Sequence, residues 1–193
     1  MKEELTQVFK DRVLKSAQEH IVEIDNITIL NDVFSLKMGM NRDEIENILS
    51  STMLKIDDEL YALELSSEIE GINKLYFWIG REIGLYSVFA MNEKIECDGF
   101  ALNLKKQFYG YERILEVGYG RFTRKESQLK DLSKSYNSWL LSLEKGEILM
   151  ETAFNKESGA TLKNDLKQIL IGASKDEGEM PSIVIVYKFS NAK

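Results

Sequence analysis

Histidine, cysteine and proline are nearly missing from this chain: one His (His20), one Cys (Cys97) and one Pro (Pro181) in 193 residues. Most acid–base, nucleophilic and metal chemistry draws on His or Cys, so their scarcity removes the commonest catalytic designs. A lone Cys97 cannot close an intramolecular disulfide, which agrees with a reducing compartment. Long apolar runs are also missing. Ile183-Val184-Ile185-Val186-Tyr187 is among the longest, far short of the about 20 residues a membrane-spanning helix needs. The start, Met1-Lys2-Glu3-Glu4-Leu5, is charged and has no apolar stretch or cleavage site behind it, unlike a signal peptide. The expected location is cytoplasmic.

What is present is an ordinary globular composition, 44% hydrophobic and 30% charged, enough for a sizeable core. The length fits one domain over residues 1–193, with a weak seam at 110–124, where Gly110, Gly118 and Gly120 interrupt the pattern. Acidic residues outnumber basic ones 32 to 25, a net charge of −7. That balance argues against nucleic acid and anionic membrane as partners, because both require a basic face. It suits a basic protein partner, and also plain solubility.

Along the chain, Leu5, Phe9 and Val13 recur at helical spacing in Lys2–Gln18, with Val8 and Ala17 beside them, predicting an amphipathic helix. Ile21–Leu30 reads as a bent strand or two short ones, and Val33–Met38 as another. Asn41 opens a helix through a capping box with Glu44, and Ile45, Ile48 and Leu49 form its apolar face. Met53–Ile56 and Tyr61–Leu65 predict one hairpin. Leu75–Ile79 and Leu85–Ala90 predict another, around Gly80-Arg81-Glu82-Ile83-Gly84. In 95–108 the alternation of Leu102 and Leu104 favours strand over helix. Leu129, Leu132, Tyr136, Trp139, Leu140 and Leu143 predict a long helix over 126–143, stopped near Gly146. Strands Ile148–Phe154, Leu166–Ala173 and Ile183–Phe189 finish the chain, with Pro181 where it removes no ladder bond. Runs of strands joined by short turns predict an α+β fold: a mostly antiparallel sheet with helices packed on one face.

Leu36-Lys37-Met38-Gly39-Met40-Asn41-Arg42-Asp43-Glu44-Ile45 resembles the strand, glycine and capped helix of SmpA/OmlA-type outer-membrane assembly lipoproteins, within the stretch Leu36–Leu49. Gly39, Asn41, Glu44 and Ile45 carry the match. With no lipobox and no N-terminal Cys in the chain, the resemblance bears on local fold and transfers no function.

Gly118-Tyr119-Gly120-Arg121-Phe122-Thr123 with Arg124 and Lys125 is the nearest approach to a phosphate loop, but it lacks the Gly-Lys-Ser/Thr ending and the third glycine of a dinucleotide fingerprint. A basic loop is the plainer reading. His20 and Cys97 would make a nucleophile–base pair only if the fold joined them. No catalytic residue, metal ligand or cofactor is expected. The acidic runs Asp57-Asp58-Glu59 and Asp176-Glu177-Gly178-Glu179 lack the ligand spacing of a calcium loop; they read as hairpin tips and as docking points for a basic partner. The partner-binding candidates are therefore Asp57, Asp58, Glu59, Asp176, Glu177 and Glu179.

In size, charge and lack of catalytic residues the chain resembles bacterial toxin-immunity proteins. The resemblance implies a non-enzymatic cytoplasmic protein that neutralises a basic toxin such as a nuclease. The alternative is an enzyme or small-ligand binder using a carboxylate- and aromatic-lined cleft. The hydrophobic surplus also leaves a homodimer open.

Overall fold

The computed structural model describes residues 29–69, 71–97, 101–126, 137–146 and 149–192, with side chains for all of these except 66–69, 126 and 137–139. The elements are a 3-10 turn Val33–Ser35, α1 Arg42–Leu49, β1 Leu54–Lys55, β2 Leu60–Ile69, β3 Ile72–Gly80, β4 Gly84–Asn92, α2 Leu102–Tyr119, β5 Thr123–Glu126, α3 Asn137–Glu144, β6 Met150–Phe154, β7 Leu166–Ser174 and β8 Ser182–Phe189. The strands form one eight-stranded sheet in the order β1-β2-β3-β4-β8-β7-β6-β5, with every pairing antiparallel. The fold is α+β with a mostly antiparallel sheet. The first half is α1 followed by the meander β1–β4, the second is α2 followed by β5, α3 and the meander β6–β8, and the last strand of each half, β4 and β8, pair at the centre.

Helix α1 starts as its sequence dictates. The Glu44 N–H donates to Asn41 Oδ1 (3.1 Å) and the Asn41 N–H donates to Glu44 Oε2 (2.8 Å), closing the capping box. Ile45 is fully buried, and the Arg42 guanidinium lies 5.5 Å from the centre of the Tyr61 ring of β2. α2 packs on β7 and β8 through Leu104, Phe108, Tyr111, Ile114 and Leu115. Those residues, Ile45 of α1 and Leu143 of α3 belong to one core cluster with alternate strand residues such as Phe77, Val88, Ile185 and Tyr187. Helices therefore pack on one face of the sheet.

Residues of the other face follow from the register. One row crosses all eight strands through Leu54, Ala62, Tyr76, Phe89, Val186, Leu170, Ala153 and Thr123, and none is charged. None of these residues belongs to the core cluster.

Several local expectations change. Val33, Phe34 and Ser35 all take positive φ (50°, 59° and 63°) in a tight turn rather than a strand. The reason is burial: Val33 and Phe34 both enter the core, whereas adjacent strand residues point to opposite faces. Residues 29 and 30, the end of the expected Ile21–Leu30 strand, are helical, while 21–28 and the Lys2–Gln18 helix lie outside the described residues. Of the favoured strand in 95–108, residues 102–108 are the start of α2, and 98–100 lie outside the described residues. Leu102 is 48% exposed, and the real pattern is Leu104, Phe108, Tyr111, Leu115 at helical spacing. Gly110 and Gly118 lie inside that helix, so the glycines at 110–118 interrupt no element. Of the 126–143 helix, Glu126 belongs to β5, 127–136 lie outside the described residues, and α3 is the described remainder. Trp139 sits in α3 with its side chain outside those described.

Candidate functional site

The two acidic tips lie at opposite ends of the sheet. Asp57, Asp58 and Glu59 form the β1–β2 turn, at the end where Leu60 pairs with Trp78 and Gly80 pairs with Gly84. Asp176, Glu177 and Glu179 form the β7–β8 connection, beyond the Ser174–Ser182 pair and therefore at the Asn92 end of β4, which pairs with Ile183. The nine residues of β4 separate the tips by about 30 Å at 3.3 Å per residue. They cannot act as one patch.

The first tip is rigid for its size. The N–H groups of Ile56 and Asp57 both donate to the Leu60 carbonyl (2.9 and 3.1 Å), and the Asp58 N–H donates to Asp57 Oδ1 (2.7 Å). Lys55 Nζ reaches Asp58 Oδ1 at 3.2 Å, yet the Asp58 side chain stays 97% exposed. Glu59 turns the other way. Its backbone carbonyl accepts the Ile79 N–H (2.8 Å), and its Oε2 accepts the Tyr86 hydroxyl (3.2 Å). Burial pushes the Tyr86 phenol above its ordinary pKa, and the Glu59 hydrogen bond adds to the shift.

Glu59 and Tyr86, with Gly80, Arg81, Glu82 and Ile83, line a depression of about 370 Å³ beside the tip. The Trp78 ring stands 6.3 Å from that of Tyr86, behind the depression rather than lining it. Two carboxylates and an aromatic ring are the complement of a guanidinium or ammonium group. Arg81, Glu82 and Tyr86 were missed in the sequence because only their turn was visible; Tyr86 meets Glu59 across β3 through the Leu60–Trp78 and Trp78–Ser87 registers.

Among the described residues, no such wall stands beside the second tip. The Glu179 N–H donates to the Asp176 carbonyl (3.1 Å), Lys175 Nζ contacts Glu144 and the Asp176 carbonyl (3.2 Å), and Asp176, Glu177 and Glu179 are all exposed.

The remaining candidates are structural or unplaced. Gly118–Thr123 spans the C-terminal end of α2 and the residues after it, where helix carbonyls repel anions, and Arg124 is committed to Glu112. Glu112 is buried, takes Arg124 Nε at 2.9 Å with a second guanidinium contact, and accepts the Thr152 hydroxyl; the trio ties α2 to β5 and β6. Cys97 is half-buried, and His20 lies outside the described residues. Among the described residues no group of three His, Cys, Asp or Glu side chains is placed to hold a metal ion, and no helix is long and apolar enough to cross a membrane. Comparison with protein-family models, curated proteins and solved structures returns no match to this chain.

Proposed function

We propose that this chain is a non-enzymatic cytoplasmic binding protein that docks a basic protein through the Asp57–Glu59 tip. The observation that carries the reading is the pairing of that exposed acidic turn with the depression lined by Glu59, Glu82 and Tyr86. Asp57 and Asp58 attract a positive surface from a distance, and the depression receives one Lys or Arg side chain between carboxylate and ring. Arg81 also lines the depression, and its positive charge offsets part of the attraction that Glu59 and Glu82 exert on a cation. An acidic inhibitor of a basic toxin, such as a nuclease, is the specific form that the size and the net charge of −7 fit. Asp176, Glu177 and Glu179 add to the long-range field from the far end.

The test is association kinetics between the full chain and the partner that co-purifies with it at low salt. Neutralising Asp57, Asp58 and Glu59 together should slow association about tenfold or more and flatten its ionic-strength dependence. Neutralising Asp176, Glu177 and Glu179 should change the rate less. Equal effects of the two triple variants, or none, would contradict the assignment. A second reading, a small cationic ligand in the same depression, rests on the same wall; it predicts that Tyr86→Ala abolishes binding of a free diamine or arginine, whereas Asp58→Asn leaves it intact.

A further inference from the structure

The sheet face opposite the helices presents an uncharged row across eight strands, with Tyr76, Phe89, Val186 and Leu170 at its middle. Trp78 and Met91 flank it on either side, and the Trp78 and Phe89 rings are 6.4 Å apart. Tyr76, Trp78, Phe89, Met91 and Leu170 are half-buried, and none belongs to the core that the helices share. We propose that this face binds a second copy of the chain, giving an isologous dimer in which the two sheets pack face to face.

Size is the first argument. Seven strand spacings of about 4.8 Å make the row about 34 Å long, and three same-face rows about 7 Å apart make it about 14–20 Å wide. That is about 500–700 Å² on each copy, or about 1,000–1,400 Å² buried in all, which reaches the range of specific interfaces. Charge is the second. The chain carries −7, so two copies repel over most of their surface. The charged residues in the flanking rows are Lys74, Lys125 and Lys188 against Glu64 and Glu151, three basic and two acidic. This face therefore lacks the acidic excess, and a basic partner is drawn to the tips instead. The third argument is where the described chain begins. The Tyr187 hydroxyl donates to the Leu30 carbonyl (3.0 Å) and the Tyr119 hydroxyl to the Asn31 carbonyl (2.6 Å), so the backbone at Ile29 sits on the helix side of the sheet. The described chain thus begins on the side of the sheet opposite the row.

Sedimentation equilibrium of the full chain tests this. The expected mass is twice the 22.2 kDa of one chain, falling toward 22.2 kDa on dilution. Phe89→Lys and, separately, Tyr76→Lys should each raise the dissociation constant at least 100-fold with an unchanged far-ultraviolet circular dichroism spectrum. Phe89→Ala, a milder change that keeps the fold if the charged variants unfold, should raise it about 10-fold. A wild-type chain that stays at 22.2 kDa at every concentration overturns the proposal. So does a dimer that survives Phe89→Lys or Phe89→Ala unweakened, or a photo-crosslinker at position 78 that joins residues 2–18 of the same chain rather than a second chain.

Discussion

The turn that forms one wall of the depression is held by a backbone contact that admits no side chain, and Gly84→Ala tests it. Gly84 has φ +66°, and a Cβ there would lie 2.0 Å from the Gly39 carbonyl oxygen, 2.4 Å from its carbon and 2.7 Å from its Cα. Nothing flexible can yield, because all three atoms are backbone. The segments must part, breaking the Gly39 N–H to Leu85 carbonyl bond (2.9 Å) and the Leu85 N–H to Met40 carbonyl bond (2.8 Å). Two lost hydrogen bonds at about 1 kcal/mol each, and about 1–2 kcal/mol for a left-handed alanine, sum to about 3–4 kcal/mol. For a chain of this length that lowers Tm by about 6–16 °C at 2–4 °C per kcal/mol. Gly39→Ala is the control. Gly39 also has positive φ (+82°), but its Cβ would meet the Ile83 carbonyl oxygen at an ordinary 3.8 Å, so only the conformational penalty of about 1–2 kcal/mol applies. Thermal melts followed by circular dichroism measure both. Equal losses for the two variants, or a Gly84→Ala loss below about 1 kcal/mol, would refute the close approach.

Three further outcomes follow from ionisable groups held by specific neighbours. Arg124→Ala leaves the Glu112 carboxylate buried without its cation and should cost about 3 kcal/mol, the low end for a broken buried pair because the Arg124 side chain is 40% exposed; Glu112→Gln, which keeps an acceptor for Thr152, should cost less in the same urea titration. The Met53 N–H first, and then Arg42, hold the Glu46 carboxyl below the usual range. Its stabilising contribution is therefore present above the unfolded pKa of about 4.3 and lost as pH falls through the lower folded value, so the stability gap between wild type and Glu46→Gln should narrow at acid pH. Burial raises the pKa of Tyr119 and of Tyr187, with nearby Asp32 adding at Tyr119 and the neighbouring tyrosines at Tyr187. Stability from these phenols is complete below the ordinary value of about 10 and lost above it, so 295 nm absorbance should show both ionising only as the fold melts at high pH.

Much of the fold was legible where local chemistry decides it. The Asn41–Glu44 capping box and the Gly80–Gly84 hairpin both form as expected, because caps and tight turns depend on a few adjacent residues. α2 was obscured by an alternation at Leu102 and Leu104 that mimics a strand, and by two glycines inside the helix, Gly110 on its exposed face and Gly118 against Asn31. The turn at Val33–Ser35 follows from tertiary burial, which overrides local preference. At the site, the acidic tips were visible as turns. Their placement at opposite ends was not, because it depends on β4 pairing with β8, where Ser87 meets Lys188 across most of the second half of the chain.

Hydrogen–deuterium exchange of the full chain with and without its basic partner tests the central claim most directly. Binding at the Asp57–Glu59 tip predicts slowed exchange at the amides of Asp58 and Glu59 and of the neighbouring turn, Arg81 to Ile83, with the 175–180 connection unchanged. Protection confined to 175–180, or absent from both turns in a saturated complex, would contradict it.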